Sequence, residues 1–125
     1  MKAAMPLISF NGTAFSAIEY YKEIFRDLEI LQFLNYENSS KVQQAVISIG
    51  DLNIVVRDAE IPTGTRFNPE VSLYLECESL EEIELLYRKL KKNGAIHVPL
   101  DDYNLSKRYA IVQDQFGLYW QLNLS

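Results

Sequence analysis

The side chain best suited to acid–base chemistry in this sequence is Glu76, which closes a strand-like run. From Val71 to Glu76 the residues alternate between apolar and polar, which is the period of a half-buried strand. A carboxylate on an otherwise apolar sheet face has a raised pKa and can act as a base. We therefore predict Glu76 as a candidate catalytic residue. The alternative is a strand-end carboxylate that faces solvent or pairs with Arg57 or Lys107.

Other catalytic arrangements are hard to build from this chain. His97 is its only histidine and Cys77 its only cysteine, so neither a serine nor a cysteine triad is predicted. We interpret His97 as a surface or dimer-facing residue and Cys77 as a small residue at a strand end. Gly64 and Gly94 stand alone, without the glycine-rich loop that would hold a phosphate.

The composition excludes several classes of protein. With 125 residues and 48% apolar content, the chain fits one domain with a hydrophobic core. A net charge of −5 argues against nucleic acid as a main partner, because phosphate neutralisation needs clustered basic residues. Residues 1–10 form too short an apolar run for a signal peptide core or a membrane span. We expect a cytoplasmic protein without a membrane partner.

The first half of the chain has the order strand, helix and three strands. Leu7 to Phe10 is a short apolar run that ends at the turn signal Asn11-Gly12, and Thr13 stands where a helix N-cap belongs. Three strand-like runs follow the helix, at residues 30–34, 42–49 and 52–56. Apolar residues recur along the helix at a spacing that predicts one buried face: Phe15, Ile18, Tyr21 and Phe25.

The second half repeats that order. Ser79 and Glu82 form a capping-box pattern, and strand-like runs follow at residues 95–100, 109–113 and 118–123. The repeat predicts two βαβββ modules, residues 5–57 and 71–124, joined by an exposed connector, residues 58–70. The apolar positions of the second helix lie 65 residues after those of the first: Leu80, Ile83, Leu86 and Leu90.

Alternation along each strand separates side chains beneath the helix from side chains on the opposite face. Two cupped sheets lined by the second set would form a ligand-sized cleft. Tyrosine, of which the chain has eight, offers such a cleft a flat apolar face with a polar tip. The predicted ligand-binding residues are Gln44, Arg57, Tyr74, Tyr109, Tyr119 and Gln121.

Two segments carry a family resemblance: residues 6–25, with Pro6 to Gly12 at their start, and residues 99–123, with Asp114 to Asn123 at their end. In these segments the chain resembles the vicinal-oxygen-chelate superfamily, and within it the PhnB-like branch that is often labelled 3-demethylubiquinone methyltransferase. A tryptophan-type position before Tyr109 is occupied here by Leu105 or a neighbour. The resemblance implies an α+β fold of two tandem βαβββ modules, the glyoxalase/bleomycin-resistance fold, with mixed sheets cupping a cleft. It also implies a homodimer.

Metal-using relatives carry four His, Glu or Gln ligands on the first and last strands of their modules. The resemblance implies that these positions fall here on Leu7, Val55, Ser72 and Gln121. Only Gln121 can ligate, whereas a first-row metal usually needs about three protein donors. We therefore predict no metal and no cofactor. Methyl transfer is not expected either, because no glycine-rich nucleotide-binding turn is present.

The leading functional hypothesis is a metal-independent small-molecule-binding protein whose candidate ligand is aromatic or cationic. A second hypothesis is a metal-independent isomerase or lyase with Glu76 as base and Tyr109 or Arg57 stabilising developing charge. A third is a regulatory or structural dimer with a vestigial cleft. The surroundings of Glu76 discriminate among them, since burial favours catalysis and exposure favours binding or a relic.

Overall fold

The computed structural model describes residues 1–62, 64, 66–104 and 107–125 of the chain. It divides into two compact units, residues 1–64 and 65–125. Each unit is one βαβββ module, as the repeat predicts. Leu105, which with its neighbours is a candidate for the tryptophan-type position, lies outside the described residues. No helix in the described part of the chain is long and apolar enough to cross a membrane.

Module one is a four-stranded mixed sheet with one helix. Its strand order is β1-β4-β3-β2, with β1 parallel to β4 and the other pairs antiparallel. The elements are β1 (Leu7–Phe10), α1 (Ala14–Ile24), β2 (Glu29–Asn35), β3 (Val42–Ile49) and β4 (Leu52–Asp58).

Module two has the same topology. Its strand order is β5-β8-β7-β6, again with the first strand parallel to the last and the other pairs antiparallel. The elements are β5 (Leu73–Glu76), α2 (Leu80–Lys91), β6 (Ala95–Asp101), β7 (Arg108–Gln113) and β8 (Tyr119–Leu124).

In each module one helix covers one sheet face, and the predicted helix stripes are largely but not fully buried. Ile18 and Tyr21 of α1 are buried as predicted, but Phe15 is 51% exposed. The reason is that Ala14 and Ala17 take the sheet-facing positions, while the Phe15 ring lies edge-on to Phe33, 6.0 Å between centroids. In α2, Ile83, Leu86 and Leu90 are buried, and Leu80 in the first turn is 40% exposed.

The helix α1 is capped by the buried carboxylate of Asp58, which lies at the end of the last strand of module one. Asp58 Oδ1 accepts hydrogen bonds from the backbone N–H groups of Gly12 and Ala14, at 2.8 and 3.0 Å, and Oδ2 accepts one from Val42 at 2.9 Å. One prediction is thereby wrong: Asp58 is the last residue of β4 and 1% exposed, not the start of an exposed connector. Thr13 occupies the N-cap position, as predicted, but makes no side-chain cap bond.

The Asp114 to Asn123 segment, which carries much of the family resemblance, begins as a turn wound around a second buried carboxylate. Asp114 Oδ1 accepts from the backbone N–H groups of Phe116 and Leu118, at 2.8 and 3.1 Å, and Oδ2 accepts from Trp120 Nε1 at 2.8 Å. Gly117 has a φ of 93°, which a residue without Cβ adopts at no steric cost. These residues therefore build the turn into β8 and the core.

The cap of α2 by Ser79 is confirmed, but the Glu82 side chain bonds to the residue before the cap and not to Ser79 itself. Ser79 Oγ accepts from the backbone N–H of Glu82 at 3.1 Å, and Glu82 Oε1 accepts from the N–H of Glu78 at 2.8 Å. Gly94, after the helix, faces the backbone of β7 so closely that a Cβ there would lie 2.0 Å from the Gln113 carbonyl oxygen. Any side chain at this position would clash with the backbone of β7, so the turn from α2 into β6 requires glycine.

Strand β5 is shorter than its alternation predicts. It begins at Leu73, two residues after the predicted start. Val71 is 76% exposed, so it does not pack beneath the helix. Ser72 precedes the strand and donates its hydroxyl proton to the Pro69 carbonyl at 3.1 Å. The connector that contains Pro69 therefore extends to Ser72, two residues further than the alternation of apolar and polar side chains predicts.

Candidate functional site

The predicted site residues lie on the sheet face opposite the helix in each module, which we call the open face. In module two, Trp120 and Leu122 of β8 are buried under the helix, so alternation directs their neighbours to the open face. Strand pairing then aligns the open-face residues of β5, β7 and β8: Tyr74, Glu76, Tyr109, Ile111, Gln113, Tyr119, Gln121 and Asn123.

A tyrosine–glutamine pair forms the centre of this face. Tyr109 donates its hydroxyl proton to Gln121 Oε1 at 2.7 Å. Tyr74 is the strand-pairing partner of Gln121, and its side chain is 58% exposed. The ring of Tyr103 meets that of Tyr109 edge-on at 6.2 Å. The structure thus brings together three of the predicted ligand-binding residues, Tyr74, Tyr109 and Gln121.

Glu76 lies on the same face, exposed and held by two hydrogen bonds. Asn123 Nδ2 donates to its Oε2 at 2.7 Å, and Ser125 Oγ donates to its Oε1 at 2.6 Å. These bonds, Ser125 first and Asn123 second, lower the pKa of Glu76 below its usual value and outweigh the opposing effect of desolvation. The predicted raised pKa is therefore wrong, because hydrogen bonds favour the charged form.

The pKa of the Tyr74 phenol is shifted in the opposite direction to that of Glu76. Its pKa is raised, by desolvation first and then by the nearby charge of Glu76. At neutral pH the hydroxyl stays protonated, so Tyr74 presents a ring face and a hydrogen-bond donor beside a carboxylate. That combination suits recognition better than proton abstraction.

Tyr119 and His97 form a second group on the open face of module two. Tyr119 is only 8% exposed, and the His97 ring lies over it with 5.0 Å between ring centroids. His97 Nε2 lies 3.1 Å from Oε1 of Gln113. The residue predicted to contact ligand, Tyr119, is thus largely covered, and His97 is the exposed member of the pair.

The predicted ligand-binding residues of module one also meet. Arg57 Nη2 donates to Gln44 Oε1 at 2.9 Å, and Gln44 Nε2 donates to Gln32 Oε1 at 3.2 Å. Arg57 Nε is buried and has no hydrogen-bond partner among the described residues. Sequence reasoning missed Gln32, because the register shift between Ile30 and Gln32 interrupts the alternation of β2.

Strand register corrects one of the four positions at which metal-using relatives hold their ligands. Leu7 pairs with Val55 in module one, and the equivalent pair in module two is Tyr74 with Gln121. Ser72 therefore does not occupy the fourth position. A leucine, a valine, a phenol and one amide do not fit a catalytic metal. Across the described residues, no three His, Cys, Asp or Glu side chains form a metal-binding group. A metal-free protein stays a prediction.

Cys77 fits the structural interpretation. Its side chain is 5% exposed at the end of β5. Desolvation raises the pKa of its thiol to about 12, with smaller contributions from Glu82 and Glu76. A thiol that stays protonated at neutral pH is a poor nucleophile.

Comparison with known proteins agrees with this architecture. Residues 2–123 match the sequence model of the 3-demethylubiquinone-9 3-methyltransferase family. A putative 3-demethylubiquinone-9 3-methyltransferase, a PhnB protein from Bacillus cereus, is 29% identical with a TM-score of 0.92, covering 99% of this chain and 100% of that one. Protein PA1353 from Pseudomonas aeruginosa is 22% identical with a TM-score of 0.86, covering 100% and 98%.

The fold extends to more distant structures. A glyoxylase/bleomycin resistance protein/dioxygenase domain from Frankia is 18% identical, with a TM-score of 0.73 over 100% of this chain and 92% of that one. A search of curated proteins finds no match. The chain therefore belongs to the 3-demethylubiquinone-9 3-methyltransferase, or PhnB-like, family of the vicinal-oxygen-chelate superfamily and has the glyoxalase/bleomycin-resistance fold.

Proposed function

We propose that the chain is a metal-independent small-molecule-binding protein and that the open face of module two binds an aromatic or cationic group. One observation carries the proposal: the exposed ring of Tyr74 stands beside a carboxylate that hydrogen bonds keep ionised. A tyrosine ring and a carboxylate both attract an organic cation. The bonded pair of Tyr109 and Gln121 adds polar groups next to them.

The charge of Glu76 is available to a ligand. Within the described part of the chain, its hydrogen-bond partners are the neutral Asn123 and Ser125, and no Lys or Arg lies within salt-bridge distance of it. The net charge of −5 adds a long-range attraction for cations. An aromatic cation would therefore be favoured over an aromatic anion on this face.

Catalysis by Glu76 in an isomerase or lyase is less well supported than binding. A general base works best when its pKa is near the working pH, and the pKa of Glu76 moves the other way. Its exposure also favours binding over catalysis. If the chain is instead a regulatory or structural dimer with a vestigial cleft, no small molecule should bind to this face.

Titration calorimetry with benzyltrimethylammonium and with a bleomycin-type antibiotic tests the proposal. We expect saturable binding of at least one probe, and we expect Glu76→Gln and Tyr74→Leu each to raise its Kd about fivefold, the scale of an exposed charge or cation–π contact. The matched control is Glu84→Gln, an exposed carboxylate on α2, which should leave the Kd unchanged.

Several results would contradict the proposal. They are the absence of heat with both probes, or one and the same Kd for wild type, Glu76→Gln and Glu84→Gln. Methyl transfer from S-adenosylmethionine would support the activity in the family's description instead. Stoichiometric zinc, nickel, manganese or iron in purified, chelator-washed protein would contradict metal independence.

The proposal includes a homodimer, supported by the outer strand of module one. Strand β2 pairs on one side only and is exposed along its whole length. Its Ile30, Leu31 and Leu34 side chains are 39–53% exposed. An exposed apolar edge strand tends to pair with another chain, and a second copy of this chain is the partner we propose.

A further inference from the structure

The open face of module one carries a group of polar side chains on its four neighbouring strands. Arg57 of β4 is paired in register with Ser9 of β1 and is hydrogen-bonded to Gln44 of β3 at 2.9 Å. Gln44 is itself oriented by its bond to Gln32 of β2. The guanidinium is thus positioned by neutral groups.

Arg57 forms no salt bridge with any acidic residue that the structure describes, although the chain has 17 acidic residues against 12 basic ones. The side chain is half-buried, and its Nε–H has no acceptor in that part of the chain. Partial burial of an unpaired charge and an unsatisfied donor costs free energy. A ligand oxyanion at the guanidinium would offset the part of that cost that comes from the unpaired charge.

Apolar side chains lie next to these polar groups on the same face. Val55 precedes it by two residues on β4 and pairs with Leu7 of β1 and Val46 of β3. Leu34 of β2 pairs with Gln44. Leu7 is 48% and Leu34 52% exposed. A molecule that contacts the guanidinium would therefore also contact apolar side chains of this face.

We propose that Arg57 binds the oxyanion, a carboxylate or a phosphonate, of a small molecule with an apolar body, and that Gln44 is its positioning residue. This rests on the proposed function, in which the chain binds small molecules. The planar guanidinium offers several N–H donors in a fixed arrangement that matches both oxyanions. Gln44 occupies only one donor of Nη2, which leaves others for the ligand.

Titrations with benzoate and with phenylphosphonate, followed by calorimetry, test this assignment. We expect at least one of them to bind and Arg57→Gln to raise its Kd about tenfold or more, as for a charge-assisted hydrogen bond at a half-buried site. Arg57→Lys keeps the charge but loses the planar donors, so its Kd should lie between the two. Binding of benzoate alone would identify a carboxylate, and binding of phenylphosphonate alone a phosphonate.

Two controls separate a lost anion contact from damage to the sheet. Arg26→Gln removes an exposed arginine of the same module and should leave the Kd unchanged. Gln44→Glu places a carboxylate at the position that now accepts the Arg57 bond, so it should weaken anion binding by competing for the guanidinium, without lowering the melting temperature. A merely structural Gln44 would instead lose stability and keep its affinity.

The assignment fails if neither anion binds at millimolar concentration, or if wild type and Arg57→Gln bind it equally. The benzyltrimethylammonium titration of the same Arg57→Gln protein keeps the two proposals apart. If the ammonium probe binds while both anions fail, the anion site is wrong and the proposed function stands. If no probe of either charge binds, both are wrong.

Discussion

At the residue scale, two carboxylates with different surroundings have different roles. Asp58 is buried and accepts three backbone N–H groups, so it holds a loop, a helix start and a strand together. Glu76 is exposed and accepts from two side chains. The two hydrogen bonds stabilise its charge, and no cation among the described residues forms a salt bridge with it. Glu76 is therefore the carboxylate that we propose to contact a ligand.

The lowered pKa of Glu76 predicts how cation binding depends on pH. We expect the Kd for benzyltrimethylammonium to stay constant from pH 8 to about pH 5 and to rise only below the ordinary glutamate value of 4.5. The same group stabilises the fold above its unfolded pKa, and that contribution is lost as pH falls through the lower folded value. Calorimetric titrations across this range measure the effect.

The Ser125→Ala variant is the control for that pH profile. It removes the bond that contributes most to the pKa shift of Glu76, so the loss of affinity should begin at a higher pH than in the wild type. A profile that is the same in both proteins, or one with its midpoint near neutral pH, would contradict this account of Glu76.

At the scale of the element, the two helices begin in different ways although they occupy equivalent places. Ser79 caps α2 with its own hydroxyl. Thr13 makes no such bond, and the start of α1 is capped by Asp58, 44 residues away. Helix starts that look alike in the sequence therefore depend on a local contact in one module and on a distant one in the other.

Alanine substitutions at the two caps should separate these cases. We expect Ser79→Ala to lower the free energy of unfolding by about 1 kcal/mol, the usual value of a lost N-cap hydroxyl. Thr13→Ala should change it by much less, since no side-chain bond is lost. Urea unfolding followed by circular dichroism measures both. Equal losses in the two variants would show that the capping assignment is wrong.

At the scale of the whole molecule, each module has a sheet edge that its own strands do not cover. Strands β2 and β6 are the outer strands opposite the parallel pairs. A row of unpaired backbone groups beside exposed apolar side chains is a template for association. The proposed dimer would therefore form through sheet edges and not through the open faces where the small molecules are proposed to bind.

Light scattering after size-exclusion chromatography tests the dimer. We expect a mass of about twice the 14.4 kDa of one chain. Leu31→Lys, at a position 53% exposed on β2, should shift the protein towards monomer, because an edge lysine opposes strand pairing. The control Ile61→Lys, at a position 78% exposed outside the strands, should stay dimeric. A monomeric wild type, or a dimeric Leu31→Lys, would contradict the proposal.

The module order, the helix positions, the cap at Ser79 and the face on which Tyr74, Tyr109 and Gln121 meet can all be predicted from the amino-acid sequence. These follow from periodicities and caps that act over a few residues. That Tyr74 and not Ser72 stands opposite Gln121 is visible only in the folded chain, since strand register depends on pairing across 47 residues. The same is true of the burial of Asp58 and of the contact through which Ser125 lowers the pKa of Glu76. Hydrogen bonds between residues far apart in the chain leave no periodic pattern in it.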